Sequence, residues 1–180
     1  MPFLIAGLLL VGALCALDLV LTLGVVKRLR DQQNLLTELG TGTSGPAVGE
    51  RIGDFAALTV GGEIVARDRI AEETLVAFFS PTCGPCRKKL PGFVAYAGAL
   101  PGGRDRVLAV VAGSAEAATP FVDALAPVAH VVLEETDGAV GAAFQATAYP
   151  TVLRVARGGD GEVVVTDDRV DLDRATRAVA

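Results

Sequence analysis

The chain has 180 residues, 51% of them hydrophobic, and a formal net charge of −5 from 16 basic and 21 acidic side chains. Its mean hydropathy of +0.48 is high for a soluble protein, and an apolar N-terminal segment accounts for much of that value. The net negative charge lies after residue 40, which excludes the basic surface stripe of a nucleic-acid-binding domain. The remaining residues suffice for one domain with its own core.

The first predicted element is an apolar helix over Phe3–Val26, in which Asp18 is the one charged residue. About 20 apolar residues span a bilayer. Asp18 costs about 2.5–3.5 kcal/mol at mid-membrane, and the Leu and Val residues, at roughly 0.3–0.6 kcal/mol each, outweigh that cost. We therefore expect an uncleaved anchor, with Asp18 near one end or facing a partner helix rather than serving a function.

Two alternative interpretations of this segment fit less well. A cleavable signal peptide would need a basic residue before the apolar run and a small-residue cleavage site after it, and the sequence has neither. A lipoprotein site at Cys15 would need a small residue where Leu14 stands. Residues 1–39 are therefore predicted as an anchor and stalk helix, 40–47 as a flexible linker and 48–180 as the folded domain.

Strand and helix signals alternate after the linker. The wholly apolar run 75–79 predicts a central strand buried on both faces, and 107–112 predicts a second. The other predicted strands cover 55–60, 63–66, 131–133, 151–155 and 162–166, and the predicted helices cover 86–100, 115–125, 140–144 and 171–179. The turn residues 158–161 predict a hairpin between the last two strands. This alternation predicts an α/β fold with a central mixed sheet flanked by helices.

Cys83 and Cys86 form a C-x-x-C pair, and with Cys15 they are too few for a disulfide framework. Cys83 follows the strand at 75–79 and begins a helix. Reactive groups gather at the carboxyl ends of such strands, and a helix N-terminus stabilises a thiolate. C-x-x-C thiols in this setting have pKa values of roughly 3.5–7.5 instead of about 8.5. We predict Cys83 as the nucleophile and Cys86, which should be more buried, as the resolving thiol.

Other chemistries find less support in the sequence. Zinc prefers four ligands, and His130 with scattered acids does not complete a set, so no metal and no cofactor are predicted. The lone His130 is interpreted as a strand-edge residue rather than a catalytic one, and no Ser-His-Asp triad is predicted. The glycines of 158–161 are interpreted as a turn rather than a phosphate loop. An inert C-x-x-C in a binding module remains open.

The segment from Phe78 to Pro91, FFSPTCGPCRKKLP, resembles the active-site strand, loop and helix of thioredoxin-fold proteins. Its Gly-Pro dipeptide is that of thioredoxin, and Pro91 matches the proline that kinks the family's active-site helix. Tyr149-Pro150-Thr151 resembles the family's cis-proline loop. The resemblance implies that Pro150 faces the cysteines and that the backbone of Tyr149 pairs with substrate.

Further features narrow the resemblance, which covers residues 46–180. The segment Val48–Phe55 is similar to the first strand of TlpA/ResA-like and redoxin proteins, and 115–133 fits the extra helix–strand unit of that branch. The Ser-Pro-Thr-Cys sequence ending at Cys83, together with the anchor, is most similar to the MauD-like disulfide proteins of methylamine utilisation. This implies a thiol–disulfide oxidoreductase with protein clients and a membrane or soluble thiol electron donor.

The resemblance and the flanking charges disagree about the side of the membrane. Lys27, Arg28 and Arg30 follow the predicted span, and the positive-inside rule would then place the domain in the cytoplasm. The family's domains lie outside the cytoplasmic membrane. Because large domains can override flanking charges, we expect a single-pass membrane protein with an extracytoplasmic domain.

Three positions depart from the family pattern. Thr82 replaces the usual Trp, Ala77 replaces the buried Asp of thioredoxins, and Lys89 replaces the Glu of ResA-like proteins. Neither familiar proton acceptor for Cys86 is therefore present, which leaves Asp137 or a water molecule as candidates. Two hypotheses follow: a reductase of disulfides in exported proteins, such as apocytochromes, or a docking module with little turnover.

Overall fold

The computed structural model describes residues 45–70 and 73–172, together with Gly12. The chain divides between Gly42 and Thr43 into two units, and every element below belongs to the second. The predicted stalk, the predicted anchor except for Gly12, and the predicted closing helix beyond Leu172 lie outside the described residues. Within the part that is described, no helix is long and apolar enough to cross a membrane.

Strands and helices alternate along the described domain. In chain order they are β1 (Ala56–Leu58), β2 (Ile64–Ala66), β3 (Thr74–Phe79), α1 (Gly84–Gly98), β4 (Val107–Ala112), α2 (Ala115–Leu125), β5 (His130–Glu134), α3 (Ala139–Ala143), β6 (Thr151–Arg157) and β7 (Val163–Asp167). Short 3-10 turns at Arg67–Arg69 and Gly103–Arg106 precede β3 and β4.

The central sheet has five strands in the order β5-β4-β3-β6-β7. β3, β4 and β5 are parallel, with Ala77 opposite Ala109, whereas β6 runs antiparallel to β3, and β7 runs antiparallel to β6. β1 and β2 form a separate antiparallel hairpin. The predicted α/β fold with a central mixed sheet, and the predicted β6–β7 hairpin, are confirmed.

Alternate residues of β3 face opposite sides of the sheet, and each side has its own core. Leu75, Ala77 and Phe79 face α1 and α2, and the Phe79 ring lies 5.3 Å from Phe93 and 6.0 Å from Phe121. These rings hold both helices against the sheet, and each fully buried Phe contributes roughly 1.5–3 kcal/mol of hydrophobic stabilisation.

The second core lies on the opposite side of the sheet, under the β1–β2 hairpin and α3. Val76 and Phe78 face this side, and the ring of Phe144 lies 5.3 Å from Phe78 and 5.4 Å from Phe55. β3 is therefore buried on both faces, as its apolar sequence predicts.

The strand predicted over 55–60 is present as β1, but the strand that the resemblance implies over Val48–Phe55 does not form. The segment makes one isolated bridge, Arg51 to Val164, and lies along the outer edge of β7. Gly49 has a φ of 86°, and the Gly53 amide donates to the Ala143 carbonyl at 3.0 Å, which draws the chain toward α3. A regular ladder is therefore interrupted at both ends.

Candidate active site

The cysteine pair lies where β3 ends and α1 begins. Cys83 is the N-cap of α1, with φ −86° and ψ 119°, and its amide donates to the Ser80 carbonyl at 3.1 Å. Pro85 stands in the first turn, where a missing amide hydrogen costs nothing, so the helix begins two residues earlier than the sequence predicted. Cys83 therefore lies at the positive end of the helix dipole, although its thiol makes no cap hydrogen bond to the amides of the first turn.

The two thiols have different surroundings. Cys83 is half-buried, and its Sγ donates to the backbone carbonyl of Tyr149 at 3.2 Å. Cys86 is fully buried, and its Sγ accepts from the Ser80 amide at 3.4 Å. Both are free thiols. The structure thus places a partly accessible thiol beside a buried one, as the sequence predicted.

Burial raises the pKa of the Cys86 thiol far above its ordinary value. The Ser80 amide and the positive charge of Lys89 act against burial, whereas hydrogen bonding and charge at Cys83 raise the pKa further. Cys86 is therefore protonated at neutral pH and must lose its proton before its sulfur attacks another sulfur.

The positions that hold acids in related proteins contain no carboxylate here. Ala77 is fully buried in the same core as Cys86. Lys89 is exposed on α1. Thr82, at the usual Trp position, is also exposed, and its hydroxyl lies 3.1 Å from the Ser80 hydroxyl. Asp137, the candidate acceptor named from the sequence, is exposed in the turn before α3.

The Tyr149–Pro150 loop approaches the cysteines from β6. The Tyr149–Pro150 peptide is cis, and the Thr151 hydroxyl donates to the Ala148 carbonyl at 2.7 Å. Pro150 is buried, whereas Tyr149 is half-buried and packs against both cores. Burial, followed by the charges of Glu134 and Cys86, raises the pKa of the Tyr149 phenol. The predicted substrate-binding loop and the cysteine pair therefore meet in space.

Sequence reasoning missed Glu134. It is the last residue of β5, and its carboxylate accepts hydrogen bonds from the Val140 amide at 3.0 Å and from the Gly141 amide at 2.7 Å. The available signal was an acid that ends an apolar strand at the same edge of the sheet as the cysteine loop.

The remaining sequence candidates lie elsewhere. His130 begins β5, at the opposite end of the parallel strands from Cys83, and its ring bonds to Glu63 at 2.9 Å and Asp105 at 3.3 Å. The residues at 158–161 form the β6–β7 turn, in which Gly161 has a φ of 83°. Across residues 45–70 and 73–172, no three His, Cys, Asp or Glu side chains are grouped to hold a metal ion.

Solved structures resemble this domain. The thioredoxin domain of a thiol–disulfide oxidoreductase from Bacteroides vulgatus aligns with a TM-score of 0.55 at 19% identity, over 74% of this chain and 97% of that one. A putative thioredoxin from Neisseria meningitidis aligns with a TM-score of 0.52 at 24% identity, over 71% of this chain and 86% of that one. StoA from Bacillus subtilis aligns with a TM-score of 0.50 at 20% identity, over 75% of this chain and all of the other.

These structural neighbours are thiol–disulfide oxidoreductases or thioredoxins of the thioredoxin fold. No protein-family model matches the chain, and no curated protein sequence matches it. At this level of identity the likeness establishes the fold, so the chain has a thioredoxin-like fold with its C-x-x-C at the carboxyl end of the central strand.

Proposed function

We propose that the chain is a thiol–disulfide oxidoreductase that reduces disulfides of protein clients through Cys83 and Cys86. One observation carries the proposal: a half-buried thiol caps α1, faces the carbonyl of Tyr149 at 3.2 Å, and has a buried second thiol one helical turn away. The identity of the structural neighbours as oxidoreductases supports the same reaction.

The reaction has two exchanges. The Cys83 thiolate attacks one sulfur of the client disulfide, which forms a mixed disulfide and releases the other client sulfur as a thiolate that takes up a proton. Cys86 then loses its proton and attacks Cys83 Sγ. This closes the Cys83–Cys86 disulfide and releases the second client thiol. Two electrons pass to the client, and a thiol donor must return two electrons to the pair.

The finer proposal concerns place and partners. The apolar run Phe3–Val26 supports a single-pass membrane anchor, and the sequence resemblance to MauD-like proteins supports an extracytoplasmic domain with exported clients. A membrane or soluble thiol protein would supply electrons. Because the domain is acidic, nucleic acid is not a proposed partner.

Insulin reduction tests the reaction. We expect the full chain to reduce insulin disulfides with a dithiol donor, and Cys83→Ser to abolish the activity because no nucleophile remains. Cys15→Ser is the matched control, since it removes a cysteine from the predicted anchor and should leave the rate unchanged. Equal activity in Cys83→Ser and the unsubstituted chain would refute the proposal.

A second candidate is a thioredoxin-like docking module with little turnover. It is favoured by the raised pKa of Cys86 in a core where Ala77 replaces the usual buried acid. A redox titration separates the two candidates. A reversible two-electron couple near the thioredoxin value of about −270 mV supports the oxidoreductase, whereas a pair that does not equilibrate with glutathione or dithiothreitol supports the docking module.

A further inference from the structure

The side chain of Glu134 folds back over the start of α3. Its Oε1 accepts from the Gly141 amide at 2.7 Å and its Oε2 accepts from the Val140 amide at 3.0 Å. The first amides of a helix have no partner within the helix. Both oxygens of one carboxylate are thus used to hold this short helix, although Glu134 belongs to the preceding strand.

The chain leaves space for this carboxylate at Gly138. A Cβ built at Gly138 would lie 2.3 Å from Glu134 Oε2, although the backbone there, with φ −63° and ψ 162°, suits any residue. Glycine is therefore required by the proximity of the Glu134 side chain and not by backbone conformation.

The backbone of Glu134 is tied to the cysteine loop. Its carbonyl accepts from the Gly113 amide at 2.9 Å. A Cβ at Gly113 would lie 3.3 Å from the ring of Pro81, so the loop that carries Cys83 packs directly over this point. The Glu134 carbonyl thus binds the residue after β4, beneath the cysteine loop, and the Glu134 carboxylate binds the start of α3.

α3 in turn leads to the Tyr149–Pro150 loop. The Ala146 amide donates to the Gly141 carbonyl at 3.0 Å, and Pro150 follows four residues later. Burial raises the pKa of the Tyr149 phenol, and the negative charge of Glu134 raises it further. Glu134 therefore holds the start of α3, while Phe144 and the Gly53 amide hold its end.

We propose that Glu134 is a positioning residue that fixes α3 and the Tyr149–Pro150 loop relative to Cys83, so that a protein client docks with its disulfide at the Cys83 sulfur. The inference rests on the proposed function, because it assigns the docking of clients to that same site. A residue that only stabilised the fold would change melting without changing how well a client is held.

Steady-state kinetics with two kinds of disulfide tests the inference. In Glu134→Ala, which loses two charge-assisted hydrogen bonds, we expect KM for insulin to rise by roughly tenfold or more, while kcat changes by less than about twofold. The rate at which the reduced variant reacts with dithiobis-nitrobenzoate, which reports the Cys83 thiolate without client docking, should stay within about twofold of the unsubstituted chain.

Three further variants separate the role of Glu134 from a simple folding or charge effect. Glu135→Ala removes the same charge one residue away, from an exposed side chain, and should leave both rates unchanged. Gly138→Ala keeps Glu134 but displaces its carboxylate, and should raise KM as Glu134→Ala does. Gly159→Ala, where a Cβ meets open space, is its control. An unchanged KM in folded Glu134→Ala and Gly138→Ala overturns the inference.

Amide hydrogen exchange tests the positioning role of Glu134 independently of disulfide reduction. If the unsubstituted chain reduces no protein disulfide, the proposed function fails, and the amides of residues 144–149 then decide about Glu134. Faster exchange there in Glu134→Ala than in Glu135→Ala supports the positioning role. Equal exchange in the two variants overturns it.

Discussion

Cys83 and Cys86 are identical side chains that their surroundings make chemically different. Cys83 meets the amino end of α1 and a carbonyl at 3.2 Å, whereas Cys86 is enclosed by an apolar core with one amide at 3.4 Å. A partly accessible thiol at a helix N-terminus suits attack on an incoming disulfide, and a buried protonated thiol suits later intramolecular attack.

The pH dependence of stability should reveal the buried thiol. The folded pKa of Cys86 lies above its unfolded value, so the folded state keeps a proton that the unfolded state loses. The contribution of the protonated Cys86 thiol to the free energy of unfolding is therefore complete below about pH 8.5. Above that pH the free energy of unfolding falls by up to about 1.4 kcal/mol per pH unit. We expect urea denaturation of the reduced chain to show this loss between pH 8.5 and 10.5, and Cys86→Ser to show less of it.

Lys89 should ease the loss of the Cys86 proton. Its positive charge lowers the pKa of Cys86 and so stabilises the thiolate that resolves the mixed disulfide. Lys89→Glu should slow this resolution by less than about fivefold, because an exposed charge contributes less than about 1 kcal/mol. Stopped-flow measurement of client release from the mixed disulfide gives the rate. Lys88→Glu, two positions rather than one helical turn after Cys86, should slow it less; an equal or larger effect there would contradict the argument.

Among the elements, α1 packs on the sheet through an aromatic contact at the carboxyl end of β3. Phe93 is fully buried, and its ring lies 5.3 Å from the ring of Phe79 in a T-shaped arrangement. Since Cys83 and Cys86 belong to the same helix and its cap, this contact also fixes the height of the thiols above the sheet.

Removing the Phe93 ring should destabilise the folded domain. Phe93→Ala should lower the free energy of unfolding by about 3–5 kcal/mol, the usual cost of a cavity left by a buried Phe. Leu58→Ala is the control, because Leu58 is 63% exposed on the β1–β2 hairpin and should change stability by less than about 0.5 kcal/mol. Guanidinium denaturation monitored by circular dichroism measures both, and similar values for the two variants would refute the argument.

Elements whose signal is local were predictable. β4 and α2 match the expected ranges 107–112 and 115–125, because a wholly apolar run and an amphipathic run carry their own signal. The strand expected over Val48–Phe55 depends on pairing with β7, far along the chain, and local sequence does not contain that information. The C-x-x-C placed the thiols correctly, since a strand and a helix flank it directly.

Glu134 could not be predicted for a related reason. Its carboxylate acts on amides that follow it by six and seven residues, through a turn that exists only because Gly138 leaves room. Its place at the end of an apolar strand distinguishes it from the neighbouring Glu135, but that signal does not reveal which amides it binds. Roles that depend on a chain folding back on itself appear only in the structure.

For the whole molecule, the side of the membrane is the main prediction. We expect protease added to intact spheroplasts to digest the domain, because a large folded domain can be exported despite Lys27, Arg28 and Arg30. A cytoplasmic marker protein should survive the same treatment. A domain that is protected until detergent is added would place it in the cytoplasm, as the flanking charges indicate.

Both edges of the central sheet are already in use. At β7 the amides of Gly49 and Ile52 donate to Val165 and Val163, and at β5 the Val60 amide occupies the Val131 carbonyl at 2.8 Å. Unfolded client chains tend to add themselves as extra strands to an open edge, a route to aggregation. With these edges interrupted, the sheet offers an unfolded chain few free backbone groups on which to add a strand.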